Sequence, residues 1–155
     1  MISTENSNIK RFTQQPGNAN SLSSNQVLAI YETENSEIWI GTEFGLNHYL
    51  PVSETFHRFF SEPANPSSLA HNTVMDILED NAGNLILATL GGLSVMSAKN
   101  QLFTNYKNEY YVEHSLSNDF VNCLLKDTMG DIWIGTERGG VNFYNANQHK
   151  FERFE

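Results

Sequence analysis

Histidine and carboxylate side chains are the first candidates for chemistry, because they transfer protons and bind metals near neutral pH. None of the five histidines has a metal-type partner at close sequence spacing. They are His48, His57, His71, His114 and His149. This pattern predicts neither a metal site nor a cofactor, and we expect that the protein is not an enzyme.

Two aspartates suggest a second catalytic interpretation, because Asp80 and Asp127 lie 47 residues apart. The residue 47 positions before Asp80 is Thr33, so the acidic series stops there. Both aspartates stand in polar segments, where this side chain caps turns by accepting hydrogen bonds from nearby backbone amides. We therefore interpret them as turn residues.

Two adjacent tyrosines and one arginine suit the recognition of a ligand. Tyr110 and Tyr111 form an aromatic pair on which a sugar or a protein can stack; the alternative is a ring buried between sheets. Arg138 follows Glu137, and its guanidinium can hold a carboxylate through two parallel hydrogen bonds. The alternative for Arg138 is a solvated turn residue, since exposed charges usually contribute little.

Charge and hydropathy restrict the partners. Nine Lys and Arg residues against 18 Asp and Glu give a net charge of −9. A surface that binds nucleic acid needs a cationic patch, so we expect no nucleic acid partner. The sequence has no apolar run of membrane-spanning length and no signal-peptide pattern at its start, so it predicts no membrane contact by this segment.

The single cysteine, Cys123, cannot form an internal disulfide, and we expect it to be a small core residue.

An internal repeat positions these side chains. Trp39, Ile86 and Trp133 are spaced by 47 residues, and each is the centre of an apolar triplet. A period in the forties built of short strand-like pieces is typical of a propeller blade. The third copy has one extra residue at Gly139-Gly140, which indicates a turn there. The other repeat positions that we expect to be structural are Gly41, Gly135, Thr42, Thr89 and Thr136.

Each unit contains four strand-like segments joined by connections of hairpin size, which is the composition of one four-stranded antiparallel blade. The sequence therefore predicts an all-β fold, a β-propeller fragment of three such blades plus one leading outer strand. Blade 1 is predicted at residues 20–60, blade 2 at 65–107 and blade 3 at 113–155. Residues 8–12 match the end of a unit, so we predict that they are the outer strand of a missing preceding blade, after a frayed N-terminus at 1–7.

The repeated residues have physical roles in such a sheet. A tryptophan between two isoleucines puts a large apolar ring on one face and aliphatic side chains on the other, so neighbouring blades interlock. The glycine that follows allows a close backbone approach or an adjoining turn. The threonines are expected to bond to nearby backbone at the entrance of the hairpin.

The turns of an antiparallel meander alternate between two rims, so the long loops between blades share a rim with the turns between second and third strands. Binding residues concentrate on loops held by a rigid scaffold, and we expect this rim to carry the ligand site. The opposite rim has short glycine turns and is expected to be poorer in recognition chemistry. The candidate ligand-binding residues are Tyr110, Tyr111, Arg138, Glu137, Phe44 and Glu43.

The fullest copy of the repeat runs from Asn118 to Val141 and contains Asp127, Gly130 and the run Ile-Trp-Ile-Gly-Thr. This pattern resembles the two-component regulator propeller repeat, and the resemblance covers residues 8–155. It implies the sensor propeller of a hybrid two-component histidine kinase, commonly a large periplasmic propeller that perceives glycans. The other copies depart from the pattern, with a serine for the turn glycine in the first and an alanine for the later glycine in the second.

Two functions stay open at this point. One is a non-catalytic ligand-sensing segment of a two-component sensor, with a carbohydrate or small molecule as its ligand. The other is a free-standing protein-interaction module that completes a six-bladed ring by homodimerisation. Three blades cannot close on themselves, so the apolar end faces need a partner, either the remaining blades of a longer chain or a second copy. The sequence identifies neither the ligand nor the number of blades.

Overall fold

Every regular element in the described part of the chain is a β-strand. The computed structural model of the chain describes residues 9–145 and 150–154. Within these ranges, no helix is long and apolar enough to cross a bilayer. The predicted frayed segment at 1–7, the first residue of the predicted leading strand, Asn8, and His149 lie outside the described residues.

The described residues form twelve strands in three four-stranded sheets, and within each sheet the strands that follow each other in sequence pair antiparallel. This meander confirms the prediction of three four-stranded antiparallel blades. Blade 1 consists of β1 (Val27–Glu32), β2 (Ile38–Thr42), β3 (Gly45–Leu50) and β4 (Thr55–Phe59). Blade 2 consists of β5 (Val74–Glu79), β6 (Leu85–Thr89), β7 (Gly92–Met96) and β8 (Phe103–Tyr106). Blade 3 consists of β9 (Val121–Lys126), β10 (Ile132–Thr136), β11 (Val141–Asn145) and β12 (Lys150–Phe154).

Residues 9–12 form no strand, so the predicted leading outer strand is not found in the described residues. A strand needs a neighbour to pair with, and no preceding blade lies among those residues. The Phe12 ring nevertheless contacts the Phe56 ring edge-on, with the centroids 5.5 Å apart. Phe59 and Phe103 make the same contact between blades 1 and 2, at 6.0 Å. Phe12 therefore occupies the place of the last outer-strand ring of a preceding blade.

The short turns between first and second strands require a residue with positive φ. That residue is Gly83 (φ 80°) in blade 2 and Gly130 (φ 87°) in blade 3, but Ser36 (φ 62°) in blade 1. Glycine adopts this conformation at no steric cost, whereas serine adopts it at a cost. Asp80 and Asp127 cap the turns of blades 2 and 3, because each Oδ1 accepts the amide two residues on at 2.9 Å.

Blades 1 and 2 pack face to face through an apolar core. Trp39 is only 2% exposed and packs in one cluster with Leu85 and Leu87 of β6. Its indole stacks on the His48 imidazole, with the ring centroids 4.3 Å apart and the planes at 6°. Burial lowers the pKa of His48 from its ordinary value of 6.5, against the opposite effect of the Glu37 carboxylate. The imidazole is therefore neutral at pH 7 and acts as a flat ring beside the indole.

Blades 2 and 3 pack in the same way, but with an isoleucine at the central position. Ile86 stands where blade 1 has its tryptophan, and it packs in one cluster with Ile132 and Ile134 of β10. A carboxylate also joins the first strands of the two blades, since Asp76 Oδ2 accepts the backbone amide of Leu124 at 2.8 Å.

The glycines after the central residue of β2 and β10 lie in close contact with other atoms. A Cβ atom on Gly41 would lie 2.9 Å from the carbonyl oxygen of Val74 in blade 2. A Cβ atom on Gly135 would collide with the Sγ atom of Cys123 in the neighbouring strand.

Cys123 is exposed, so the expectation of a core cysteine was wrong. Its counterpart Asp76 bonds to the next blade, and no such blade follows blade 3 among the described residues.

The two tryptophans differ in the partner of the indole nitrogen. Trp133 Nε1 donates to Asp127 Oδ2 at 3.0 Å, and this hydrogen bond is the main reason that the pKa of the Asp127 carboxyl is lowered. Trp39 Nε1 is buried and has no partner among the described residues, because Thr33 stands at the position of the aspartate. A buried N–H group without an acceptor costs about 1–3 kcal/mol.

Replacing Thr33 with aspartate should therefore stabilise the protein. We expect Thr33→Asp to raise the free energy of unfolding by about 1 kcal/mol, because the carboxylate can accept the indole N–H of Trp39. Urea unfolding followed by circular dichroism measures the change. In a Trp39→Phe background the gain should disappear, since phenylalanine has no N–H group. An equal gain in both backgrounds would show that the carboxylate acts on the turn alone.

Two apolar faces stay open at the ends of the row of described blades. Ile30 on blade 1 is 69% exposed, and Leu125 on blade 3 is 62% exposed. Their counterparts in blade 2, Ile77 and Leu78, are buried because that blade has a neighbour on each side. We define the leading face of blade 1 by Ile30, Ile38 and Ile40, and the trailing face of blade 3 by Leu125, Trp133 and Phe154.

Candidate functional site

The long loops between blades and the turns between second and third strands lie together on one rim, which we call the long-loop rim. Gly45, in the first of these turns, donates its amide to the carbonyl of Asn72 in the loop after blade 1 at 2.6 Å. Gly92 makes the same bond to Asp119 in the following loop at 2.8 Å. The loops and turns therefore form a continuous surface supported by the sheets.

The repeated threonines fix the turns of this rim. Thr42 Oγ1 donates to the Gly45 carbonyl at 2.9 Å. Thr89 and Thr136 make the equivalent bonds to glycine carbonyls at 2.7 and 3.1 Å. The bond of Thr136 reaches one residue further along the chain than the other two, to Gly140, which is where the extra residue of the third copy was placed. The threonines thus serve the turn and leave recognition to the residues between them.

Outer-strand side chains hold the long loops, a role that the sequence analysis missed. Arg58 Nη2 donates to Ser21 Oγ at 2.6 Å, and Arg153 Nη2 donates to Ser115 Oγ at the same distance. Asn105 takes this position in blade 2 and donates to a loop carbonyl at 2.8 Å. The available signal was the recurrence of a polar donor at one position of the outer strand, facing a serine at one position of the loop.

Tyr110 and Tyr111 project from the loop between blades 2 and 3. They are 83% and 100% exposed, and their rings meet edge-on with the centroids 5.3 Å apart. Tyr111 has a φ of 132°, in a region that L-residues rarely adopt. Neither ring is buried between sheets, so the pair presents its aromatic faces to the solvent.

Arg138 lies on the same rim, at the turn between β10 and β11. Its side chain is 90% exposed, and its Nε atom lies 3.9 Å from Oε1 of Glu137. An exposed pair at this distance contributes little, so the guanidinium stays accessible. A shallow groove beside Arg138 and another beside the two tyrosines are both lined by Ser117 and Arg153. The two grooves form one surface, which we call the blade 3 groove.

Glu43 and Phe44 lie on the same rim at blade 1, two blades away from Arg138. They line a separate groove with Pro63 and His71. Phe44 is more than half exposed, and its ring packs at 5.6 Å on that of Phe60. The six candidate residues therefore divide into two groups, with the tyrosines, Arg138 and the adjoining Glu137 at blade 3 and the remaining two at blade 1.

The blade 3 groove has the chemistry of a binding surface. It combines two phenol rings, the guanidinium groups of Arg138 and Arg153, and the carboxylates of Glu109 and Glu113. Phenol rings stack, guanidinium groups donate hydrogen bonds in pairs, and carboxylates accept them. Across the described ranges, no three His, Cys, Asp or Glu residues are placed to hold a metal ion.

The opposite rim, which we call the short-turn rim, carries a cleft of about 500 Å³ between blades 2 and 3. Ile86 and Val95 line its apolar side, while Tyr106 and Asp131 are among its polar residues. The expectation that this rim is poorer in recognition chemistry did not foresee a cleft here. It rested on the shortness of the turns, whereas the cleft results from the size of the side chains between the blades. We call it the inter-blade cleft.

Comparison with known proteins identifies the type of repeat. The family model described as the two component regulator propeller matches residues 21–44 and 115–138, which are corresponding parts of blades 1 and 3. These segments of blades 1 and 3 are similar to the two-component regulator propeller repeat. Among curated proteins, none matches the sequence.

Solved structures share the fold of these repeats. The chain matches the extracellular domain assigned to the hybrid two-component system BT3049 of B. thetaiotaomicron with a TM-score of 0.80 and 22% identity, covering 93% of this chain and 20% of that one. The corresponding domain of BT4673 from the same organism gives a TM-score of 0.73 and 24% identity, covering 92% of this chain and 20% of that one. The chain therefore spans about a fifth of the length of these two neighbours.

A third neighbour is an enzyme. Virginiamycin B lyase from Staphylococcus aureus matches with a TM-score of 0.61 and 12% identity, covering 84% of this chain and 41% of that one. Likeness at these identities shows the fold alone. A propeller scaffold serves binding proteins and enzymes alike, so function has to be argued from the residues of the site.

Proposed function

We propose that the chain is a non-catalytic, ligand-binding segment of the propeller sensor of a two-component system, and that its ligand binds at the blade 3 groove. The observation that carries the proposal is the match of segments of two blades to the two component regulator propeller model. Extracellular domains assigned to hybrid two-component systems have the same fold, which supports it. Such a segment meets its ligand outside the cytoplasm, in the periplasm.

A carbohydrate is the ligand class that the groove favours. Tyr110 and Tyr111 expose aromatic faces, on which the apolar face of a sugar ring can stack. Arg138 offers paired donors to hydroxyl or carboxylate oxygens of the same ligand. The groove is open and shallow, so it suits an extended oligosaccharide chain better than a single enclosed monosaccharide.

The proposal is tested with an oligosaccharide microarray followed by calorimetry on each hit. We expect at least one oligosaccharide to bind. The double variant Tyr110→Ala/Tyr111→Ala should weaken that binding by about tenfold or more, because stacking is lost. Phe44→Ala is the matched control, since Phe44 is an exposed aromatic residue on the same rim at another blade. It should bind as the unchanged protein does.

Three results would count against the proposal. Absence of binding across the array would contradict the carbohydrate ligand. An equal loss in Phe44→Ala would contradict the assignment to the blade 3 groove. Shortened oligosaccharide products, detected by mass spectrometry after incubation, would contradict a non-catalytic role.

A second candidate function is an interaction module that completes a six-bladed ring with another copy of itself. The observation that favours it is the pair of open apolar faces, on blade 1 and blade 3. The trailing face offers the same kind of residues that blade 1 packs on blade 2, namely a tryptophan and a nearby phenylalanine. Its test is the oligomeric state of the protein.

A further inference from the structure

The inter-blade cleft lies on the short-turn rim, away from the blade 3 groove. Ile86 and Val95 of blade 2 form its apolar side, and Tyr106 lines it from β8. Blade 3 contributes Asp131 and the turn at Gly130. A volume of about 500 Å³ lies within the range of sites for small organic molecules.

The cleft exists because blade 2 departs from the repeat. Between blades 1 and 2 the corresponding space holds two stacked rings, the Trp39 indole and the His48 imidazole. The residues at these positions in blade 2 are Ile86 and Val95, which lack rings. The cleft therefore has room for a flat aromatic group of the size that the neighbouring interface contains.

The charge of the cleft selects among aromatic molecules. Two carboxylates line it, and no Lys, Arg or His does. The Asp80 carboxylate already accepts hydrogen bonds from the Ala82 amide, the Asn84 amide and the Asn84 side chain at 2.8–2.9 Å. The Asp131 carboxylate accepts none within the described residues, so it can pair with a cation from outside the chain. A positive group suits this potential, and a negative group is repelled.

The neighbouring interface contains a related arrangement within the chain. There the His48 ring stacks on Trp39, and its Nε2 atom lies 3.7 Å from the Glu37 carboxylate. A flat nitrogen-containing ring beside a carboxylate is therefore a group that this kind of interface already accommodates. In the cleft the free carboxylate comes from the opposite blade, through Asp131.

We propose that the inter-blade cleft binds a small aromatic amine, with its ring against Ile86 and Val95 and its ammonium group at the Asp131 carboxylate. The Tyr106 ring also lines the cleft, and cations are attracted to the faces of such rings. Tyr144 lines the cleft as well, and burial raises the pKa of its phenol, so this wall stays uncharged at neutral pH. The site is independent of the blade 3 groove in position and in the ligand that it selects.

Tryptamine is the probe for this site, and indole-3-acetate is the control with the opposite charge on the same ring. Isothermal titration calorimetry on the full chain at pH 7 should show saturable binding of tryptamine to one site. Indole-3-acetate should bind about tenfold more weakly or worse, because its carboxylate meets Asp131. Asp131→Asn should weaken the binding of tryptamine about fivefold and leave the binding of neutral indole unchanged.

Substitutions that place a larger side chain in the cleft test whether tryptamine binds there. Ile86→Trp restores the ring that blade 1 carries at this position. This variant should weaken the binding of tryptamine by about tenfold or more. Thr104→His copies His57 of blade 1 and narrows the same cleft. It replaces Ile86→Trp in the measurement if that variant does not fold. Val52→Ala, in an exposed turn of blade 1, is the matched control and should leave tryptamine binding unchanged.

Each outcome decides the proposal. It fails if tryptamine shows no saturable binding, if indole-3-acetate binds equally well, or if a folded cleft-filling variant keeps the affinity of the unchanged protein. The oligosaccharide test of the blade 3 groove uses other probes and other variants, so either proposal can fail while the other holds.

Discussion

Replacing Trp39 with alanine is expected to lower the free energy of unfolding by about 3–5 kcal/mol, the range found when a buried tryptophan or phenylalanine is truncated. The indole is buried between blades 1 and 2, where it packs on blade 2 residues such as Leu87. Alanine would leave a cavity at the centre of that interface, and the rigid sheets on both sides cannot collapse into it. Urea unfolding followed by circular dichroism measures the loss.

The same change at Trp133 is the matched control. Trp133 occupies the same position of its blade, but its ring lies on the trailing face against Phe143 and Phe154 of its own sheet. No neighbouring blade covers it among the described residues, so Trp133→Ala should cost only about 1 kcal/mol. The difference between the two variants measures the contribution of packing between blades.

Cooperativity gives a second measurement on the same variants. In a row of repeats, each unit is stabilised by its own sheet and by the interface with its neighbour. Trp39→Ala weakens one interface, so blade 1 should unfold at a lower urea concentration than blades 2 and 3, in a transition of its own. Equal losses in the two tryptophan variants, or a single unchanged transition in Trp39→Ala, would contradict the central place of the indole in the interface.

The fold could be predicted from the sequence because the repeat determines both strand positions and packing direction. The spacing of Trp39, Ile86 and Trp133 places one residue of each second strand, and the alternation of the strand then places its neighbours. The leading strand at residues 8–12 was the exception. Sequence matching finds the residues of an outer strand, but a strand forms only where another strand pairs with it.

The site was predicted less completely, because the sequence gives the rim of each loop but not the distances between loops. Tyr110, Tyr111 and Arg138 do lie near one another, through grooves that share Ser117 and Arg153. Glu43 and Phe44 share only the rim with them. The inter-blade cleft could have been found by asking what fills the space where Ile86 replaces a tryptophan. A smaller residue at a packing position of a repeat indicates either a closer approach or a void.

The open apolar faces of blades 1 and 3 are expected to associate with each other. The trailing face presents Trp133, the counterpart of Trp39, and the leading face presents Ile38 and Ile40, the counterparts of Leu85 and Leu87. Blade 3 of one copy can therefore pack on blade 1 of another as blade 1 packs on blade 2. Two copies joined in this way at both ends give a six-bladed ring with twofold symmetry. We expect self-association in light scattering at micromolar concentration.

Charge on the trailing face should abolish this association. In Trp133→Glu the carboxylate would be buried against the apolar leading face without a partner, so association should weaken by at least about tenfold. Arg138→Ala changes an exposed residue of the same blade outside the face and should associate as the unchanged protein does. A protein that is strictly monomeric at every concentration would contradict the proposed role of the open faces.

Phe12 distinguishes ring closure from covering by further blades. Its ring packs on Tyr49 and Phe56 at the place where the last ring of a preceding blade belongs. In a closed ring of two copies, that ring is Phe154 of the second copy, and it competes with Phe12 for the same contact. Phe12→Ala should therefore shift the protein towards a discrete dimer, whose mass analytical ultracentrifugation determines. If Phe12→Ala instead gives larger and more heterogeneous particles, the leading face is open to indiscriminate contact, and its natural cover is a preceding blade of a longer chain.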